Sequence, residues 1–177
     1  MRGHSSSHTA AFARIGLVIN QMLGKKVEDI KITYNPKSSL AETFESQGAF
    51  YALIGGILGL SVESENLKYS LELATKKQVT ITHYSEKLED NHPNACLVKI
   101  ISSGNNLEVL AKSTGGGMVE IIRVNNFRTN ITLDKYYLIS KDMNLYLKKC
   151  IILMTKSAVN GYLLIIQKTK HLPHFFS

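Results

Sequence analysis

The sequence predicts an α+β fold, and three of its features carry that prediction. Its first half is dominated by stretches whose apolar residues recur at three- and four-residue spacing. Three alternating segments follow one another between residues 95 and 124. Of its 177 residues 44% are hydrophobic, enough for one packed core and part of a second, and too many for a disordered chain. Helices followed by consecutive strands on short turns imply helices laid on an antiparallel or mixed sheet.

Taken in order, Ser5-Ser6-Ser7 can cap a helix in which Ala11, Ile15, Val18, Ile19 and Met22 share a face and which ends at Gly24. Val27 to Tyr34 reads as a strand broken by Asn35-Pro36, and Leu40 to Ser46 as a short helix or loop. Gly48 to Leu58 is apolar all round, as a buried helix is. Glu63 begins another helix with Leu67, Leu71 and Ala74 on one face, and Val79 to Tyr84 is a short alternating strand. After the acidic loop Glu86 to Asp90, His92-Pro93-Asn94 opens a strand from Ala95 to Ile101. Gly104-Asn105-Asn106 is then a hairpin turn into Leu107 to Lys112, and Ser113 to Gly117 leads to Met118 to Val124.

A boundary is expected near Phe127 to Thr132, giving units 1–128 and 129–177. In the second, Lys135 to Ser140 and Gly161 to Lys168 read as strands flanking a helix from Met143 to Lys156. A β-α-β unit of that size buries too little apolar surface to stand alone, so it is expected to dock on the first unit or on another chain.

The net charge of +7 is uneven. Residues 1–128 hold 14 basic and 12 acidic side chains, whereas 129–177 hold seven lysines against Asp134 and Asp142. These lysines are dispersed among apolar residues without an arginine cluster, which describes a solvated face better than a nucleic-acid surface. The longest uncharged stretch, Ser46 to Val62, contains four glycines and sits at the lower limit for crossing ~30 Å of hydrocarbon, so no membrane segment is expected. The N-terminus has no apolar signal core, and Cys96 and Cys150 stand alone. The expectation is a cytoplasmic protein with reduced thiols and no metal site of its own.

Three segments carry chemistry-bearing residues. Ser5-Ser6-Ser7-His8-Thr9 puts hydroxyls and an imidazole at a helix start, where unpaired N–H groups and the helix dipole favour an anion such as a carboxylate. On spacing alone, one serine that simply caps the helix explains as much, and Arg14 is a nearby cation or an exposed side chain. His92-Pro93-Asn94 presents an imidazole suited to proton transfer near neutral pH, or a loop histidine with a backbone hydrogen bond. Ser113-Thr114-Gly115-Gly116-Gly117 fits an anion-binding nest or a hairpin needing positive φ, and matches neither phosphate-loop nor dinucleotide patterns. His4, His83, His171 and His174 lack partners at metal-ligand spacing and read as structural.

The order of these segments adds to them. A Ser-Ser-Ser-His-Thr helix start, Gly-Gly-Ile-Leu-Gly at Gly55 to Gly59, His-Pro-Asn, and a triple glycine before an Ile-rich strand together resemble the beta subunit of iron-sulfur-dependent bacterial L-serine dehydratase, from about Gly3 to Phe127. The C-terminal unit resembles the first half of the ACT regulatory domain that follows in that subunit. The fold implied is a serine dehydratase beta-type domain like the allosteric substrate-binding domain of phosphoglycerate dehydrogenase, followed by a partial ACT-like unit.

The resemblance implies deamination of L-serine to pyruvate and ammonia, within amino-acid catabolism and gluconeogenesis, in company with an alpha subunit. That partner would carry the 4Fe-4S cluster, with no ligand from this chain. His8, His92 and Asn94 would be catalytic, the proton falling to His8 or His92. Ser5, Ser6, Ser7, Thr9, Gly115, Gly116 and Gly117 would border the substrate, and self-association through the C-terminal unit is expected. The chain departs from the family pattern in lacking a strand before the serine motif, in His4 where a proline precedes that motif, and in Met118 where an asparagine follows the glycines. Ser46-Gln47-Gly48-Ala49-Phe50 stands where the family has Gly-His-Gly-Thr-Asp. A shortened, diverged subunit fits these losses. A binding module for a small hydroxy or amino acid, or an inactive remnant, are the alternatives.

Overall fold

In a computed structural model of the chain, residues 6–23, 26–46, 48–102, 105–132, 137–140 and 164–167 are described. Helix α1 (Ser6–Leu23) leads into β1 (Asp29–Tyr34), then α2 (Ser39–Thr43) and α3 (Ala49–Ile57). A 3₁₀ segment (Glu65–Tyr69) passes into α4 (Ser70–Lys76). Strands β2 (Thr80–Ser85), β3 (Ala95–Ser102), β4 (Asn105–Gly115), β5 (Met118–Val124) and β6 (Phe127–Thr132) follow. They form one mixed six-stranded sheet in the order β2-β1-β3-β4-β5-β6, with β1 and β2 parallel and the remaining pairs antiparallel. The α+β expectation therefore holds.

Alternation within the strands decides which face is covered. Ile30, Ile32 and Tyr34 of β1, and Cys96, Val98 and Ile100 of β3, all point inward and are buried. Helix α1 packs on β4 and β5 and lies beside α3, which is buried almost throughout. The stretch from Ser46 to Val62 thus contains a nine-residue core helix, and no helix among the described residues is long and apolar enough to cross a membrane.

Four expectations need correction. Leu71 does not share a face with Leu67 and Ala74: it is exposed, and Ser70 takes the inward place, because the 3₁₀ turn at three residues per turn shifts the helical phase before α4 begins. The β3–β4 turn is not Gly104 to Asn106, since Asn105 already pairs with Ser102 and Asn106 with Ile101. Ser113 to Gly115 belong to β4, leaving only Gly116 and Gly117 as the loop. The expected boundary after residue 128 falls inside β6, which pairs with β5 across a two-residue Asn125-Asn126 turn. Asn125 accepts the positive φ of 50° that this turn demands, and its side chain and amide both bond to Glu108.

Strands β7 (Tyr137–Ser140) and β8 (Leu164–Gln167) pair antiparallel in a sheet of their own. The helix expected from Met143 to Lys156 lies outside the described residues.

Candidate functional site

Helices α1 and α3 run side by side in the same direction. Asn20 near the end of α1 donates to the Ile57 carbonyl at the end of α3, Gly16 meets Gly56, and Thr9 near the start of α1 meets Gly48 just before α3. Glycines set the approach: a Cβ on Gly16 would overlap the Leu53 carbonyl oxygen, and one on Gly56 that of Ala13. The consequence is electrostatic. Two parallel helix starts lie at one end of the molecule, and their positive ends add there.

At that place the chain is shaped around Gly48, whose φ of 82° is left-handed. A Cβ here would stand 2.5 Å from the Tyr51 hydroxyl and 3.2 Å from Thr9 Oγ1. His8 and Thr9, half-buried, belong to the first turn of α1. Ser6 and Ser7 form its first residues as placed by the backbone, and Ser5 lies outside the described residues.

The glycine hairpin joins the same end. Gly115, Gly116 and Gly117 all have positive φ, at 98°, 58° and 78°, and Gly116-Gly117 is the two-residue loop of the β4–β5 hairpin. A Cβ at Gly115 or Gly116 would meet nothing within 4 Å, so conformation rather than crowding requires glycine there. Gly117 is buried against α1: Arg14 donates from Nη1 to its carbonyl at 2.9 Å, and its Cβ position is 3.6 Å from that of Ala10. Arg14, exposed on the helix, thus ties the hairpin to the helix start.

His92 and Asn94 reach this end of the sheet by another route. Asn94 accepts the Ser113 amide through its carbonyl, two residues ahead of Gly115, while Leu40 at α2 donates to the Pro93 carbonyl at 3.0 Å. The His92 amide donates to Asp90 Oδ1 at 2.7 Å, and Lys112 holds the other Asp90 oxygen at 3.6 Å. His92 Nδ1 accepts the Asn94 amide at 3.1 Å, which leaves Nε2 as the proton-bearing nitrogen of the neutral ring. The loop-histidine geometry is therefore realised, with Nε2 uncommitted to that bond. Asn94 Oδ1 is buried and has no hydrogen-bond partner, a polar group placed where burial alone is unfavourable.

The backbone ladder thus brings Asn94 beside the base of the glycine hairpin, and Arg14 brings the hairpin to α1. His92 is held within its own loop by Asp90 and Asn94. Sequence reasoning passes over Gly48, whose role depends on Thr9 some forty residues away, and treats His83 as structural although both its ring nitrogens have partners.

Among the described residues no three His, Cys, Asp or Glu side chains lie close enough to hold a metal. Cys96 is wholly buried in β3, and burial pushes its thiol up to about 12, so it is poorly suited to act as a thiolate ligand. Cys150 lies outside the described residues.

No family model matches the chain. It is 35% identical over 132 residues to the probable L-serine dehydratase beta chain of Bacillus subtilis (strain 168), covering 75% of this chain and 59% of that protein. It is 36% identical over 129 residues to the L-serine dehydratase beta chain of Peptoniphilus asaccharolyticus, covering 71% and 56%. The chain spans less than two thirds of the length of these curated relatives. The similarity to these L-serine dehydratase beta chains takes in about three quarters of this chain's own residues.

Proposed function

We propose that the chain is the beta subunit of an L-serine dehydratase that, together with an alpha subunit, deaminates L-serine to pyruvate and ammonia in the cytoplasm. The observation that carries this reading is the similarity to two L-serine dehydratase beta chains over 132 and 129 residues. L-serine loses its α-proton and its β-hydroxyl as water. The resulting aminoacrylate takes up water and releases ammonia, so the atoms balance.

On this reading the joint positive end of α1 and α3 attracts the substrate carboxylate. Ser5, Ser6, Ser7 and Thr9 offer it hydroxyls, and Gly115, Gly116 and Gly117 wall the site. Asn94 supplies an amide oxygen that burial has left unpaired. His8 or His92 takes the α-proton; while the Asn94 amide donates to Nδ1, His92 Nε2 carries the proton of the neutral ring and is a donor, so His92 serves as the base only once that bond is released. The 4Fe-4S group is assigned to the alpha subunit, as the resemblance to the beta subunit of the iron-sulfur-dependent enzyme implies. We read the six-stranded unit, extended to Thr132, as a relative of the allosteric substrate-binding domain of phosphoglycerate dehydrogenase, because its helices cover one face of a mixed sheet. The separate β7–β8 pair supports a second, ACT-like unit that docks on another chain.

Anaerobic co-expression with a cognate alpha chain tests the proposal. Pyruvate from L-serine is expected only when both chains are present. A cluster-loaded complex that forms and makes no pyruvate overturns it. In the active complex His92→Ala is expected to lower turnover roughly 10²–10⁴-fold, the usual worth of a general base.

A further inference from the structure

His83 belongs to β2, an edge strand whose side chains, that of His83 included, are half-buried or exposed. By register it lies opposite Ile32 and so faces the helices. A ring that merely filled this position would leave its nitrogens to solvent. Instead Nδ1 lies 3.0 Å from the Tyr34 hydroxyl, and Nε2 lies 3.3 Å from Glu45 Oε1. A neutral imidazole has one donor and one acceptor, and an ionised carboxylate can only accept. The bonds therefore have one direction: Tyr34 donates to Nδ1, and Nε2–H donates to Glu45.

The rings around it fix this direction in space. Tyr34 stacks on His83 with an interplanar angle of 25°, while Phe44 and Phe50 approach it at 6.2 and 5.3 Å between ring centroids. Phe44 also packs on Phe12 of α1 and on Tyr34, so α1, β1, β2 and the connection from α2 to α3 meet at one aromatic box. Glu45, next to Phe44, accepts the Gly48 amide through its backbone carbonyl at 3.3 Å, and Gly48 is the residue that abuts Thr9.

We propose that His83 is a positioning residue for the substrate end of α1 and α3: by holding Glu45 it fixes Gly48 against Thr9. The proposal rests on the reading that this end binds L-serine. Glu45 is largely exposed, so its bond to His83 adds little to folding. Its effect is on where the connection sits, and position can be separated from packing by experiment.

An amide side chain can stand in for either ring nitrogen. His83→Gln carries its amide out to the Nε2 position and keeps the bond to Glu45, whereas the shorter amide of His83→Asn reaches only the Nδ1 position and keeps the bond to Tyr34. In the full chain, H83N is expected to shift the Gly48 and Thr9 amide resonances, and H83Q to restore them. In the complex with the alpha subunit, H83N is expected to raise KM for L-serine about two- to fivefold, the most that an exposed pair can transmit, with kcat within about twofold of the parent. H83Q brings KM back. Resonances unmoved by H83N overturn the proposal. So do H83N and H83Q variants that are equally impaired with the same fall in thermal midpoint, which would make the ring a packing element. A complex that binds no serine with any residue at 83 defeats the functional reading instead, and the resonances still report on the link from His83 to Gly48.

Discussion

The two faces of the six-stranded sheet are built by different forces. On the helix side, Ile30, Ile32, Val98, Ile100, Val119 and Ile121 are all but fully buried beneath α1 and α3. Helix and helix are in contact with no side chain between Gly16 and Gly56. On the other side, among the described residues, Leu88, Ala95 and Leu110 form a small buried cluster with Leu97 and Ile122 against it, and charged residues lie around it. There Arg123 joins Glu89 and Glu108, Lys112 joins Asp90 and Glu120, and Lys99 joins Glu108. The contrast extends to the candidate site. The placement of His8 and Thr9 depends on steric fit, whereas that of His92 depends on a loop held by polar contacts: Asn35 binds the Asp90 carbonyl and the Leu88 amide at 2.7 Å each, and Asp90 in turn binds the His92 amide.

The comparison is broken most severely on the steric side. Gly56→Ala would force the new Cβ into the Ala13 carbonyl and the Leu17 amide, both backbone atoms that cannot rotate away. The helices must separate, at a cost of about 3 kcal/mol, the upper part of the usual range for overpacking. Urea denaturation measures it. A loss below ~0.5 kcal/mol, the level of a surface substitution, would mean that the helices are not held at this distance.

On the polar side the corresponding change is Asn35→Ala. Asn35 is buried, and its removal strands a carbonyl and an amide, for which about 2 kcal/mol is expected. The more telling readout is local. The ring resonances of His92 should move while those of His8 remain, because the two histidines are supported from opposite faces. Equal movement of both would dissolve the distinction.

That distinction also explains what can be read from the residues alone. Local pattern is enough for α1, α3 and β1 to β5: α1 and the strands repeat or alternate within their own length, and α3 is marked by being apolar all round. Strand β6 reads as a linker because Arg128 and Asn130 interrupt its pattern, although Asn125-Asn126 is a primed-turn signal. The site divides in the same way. The serine-rich helix start, the His-Pro-Asn segment and the triple glycine are visible as local motifs. Their convergence is not, because it rests on Gly16 meeting Gly56, on Arg14 reaching Gly117 and on Ser113 pairing with Asn94. His83 escapes a local reading for the same reason: its partners Tyr34 and Glu45 come from other elements.

The smallest expected effect sharpens the polar half of the comparison through pH. Burial alone would raise the Glu108 carboxyl, but its hydrogen bonds to Lys99 and Arg123 and the charges of both outweigh that and hold it below its ordinary value of 4.5. A carboxyl lowered in the folded state adds stability that is present above 4.5 and is lost as the pH falls through the lower folded value. Because these pairs are partly exposed, the gain is at most about 1 kcal/mol and should shrink in high salt. Glu108→Gln keeps the shape and removes the titration. Denaturation of both proteins at neutral pH and near pH 3 should therefore show a gap at neutral pH that narrows in acid, and narrows also in 1 M salt. The helix face contributes no matching acid-sensitive step through its buried aliphatic contacts, so a gap between parent and variant that stays constant across this range would show that the outer face is held by its small apolar cluster and not by its charges.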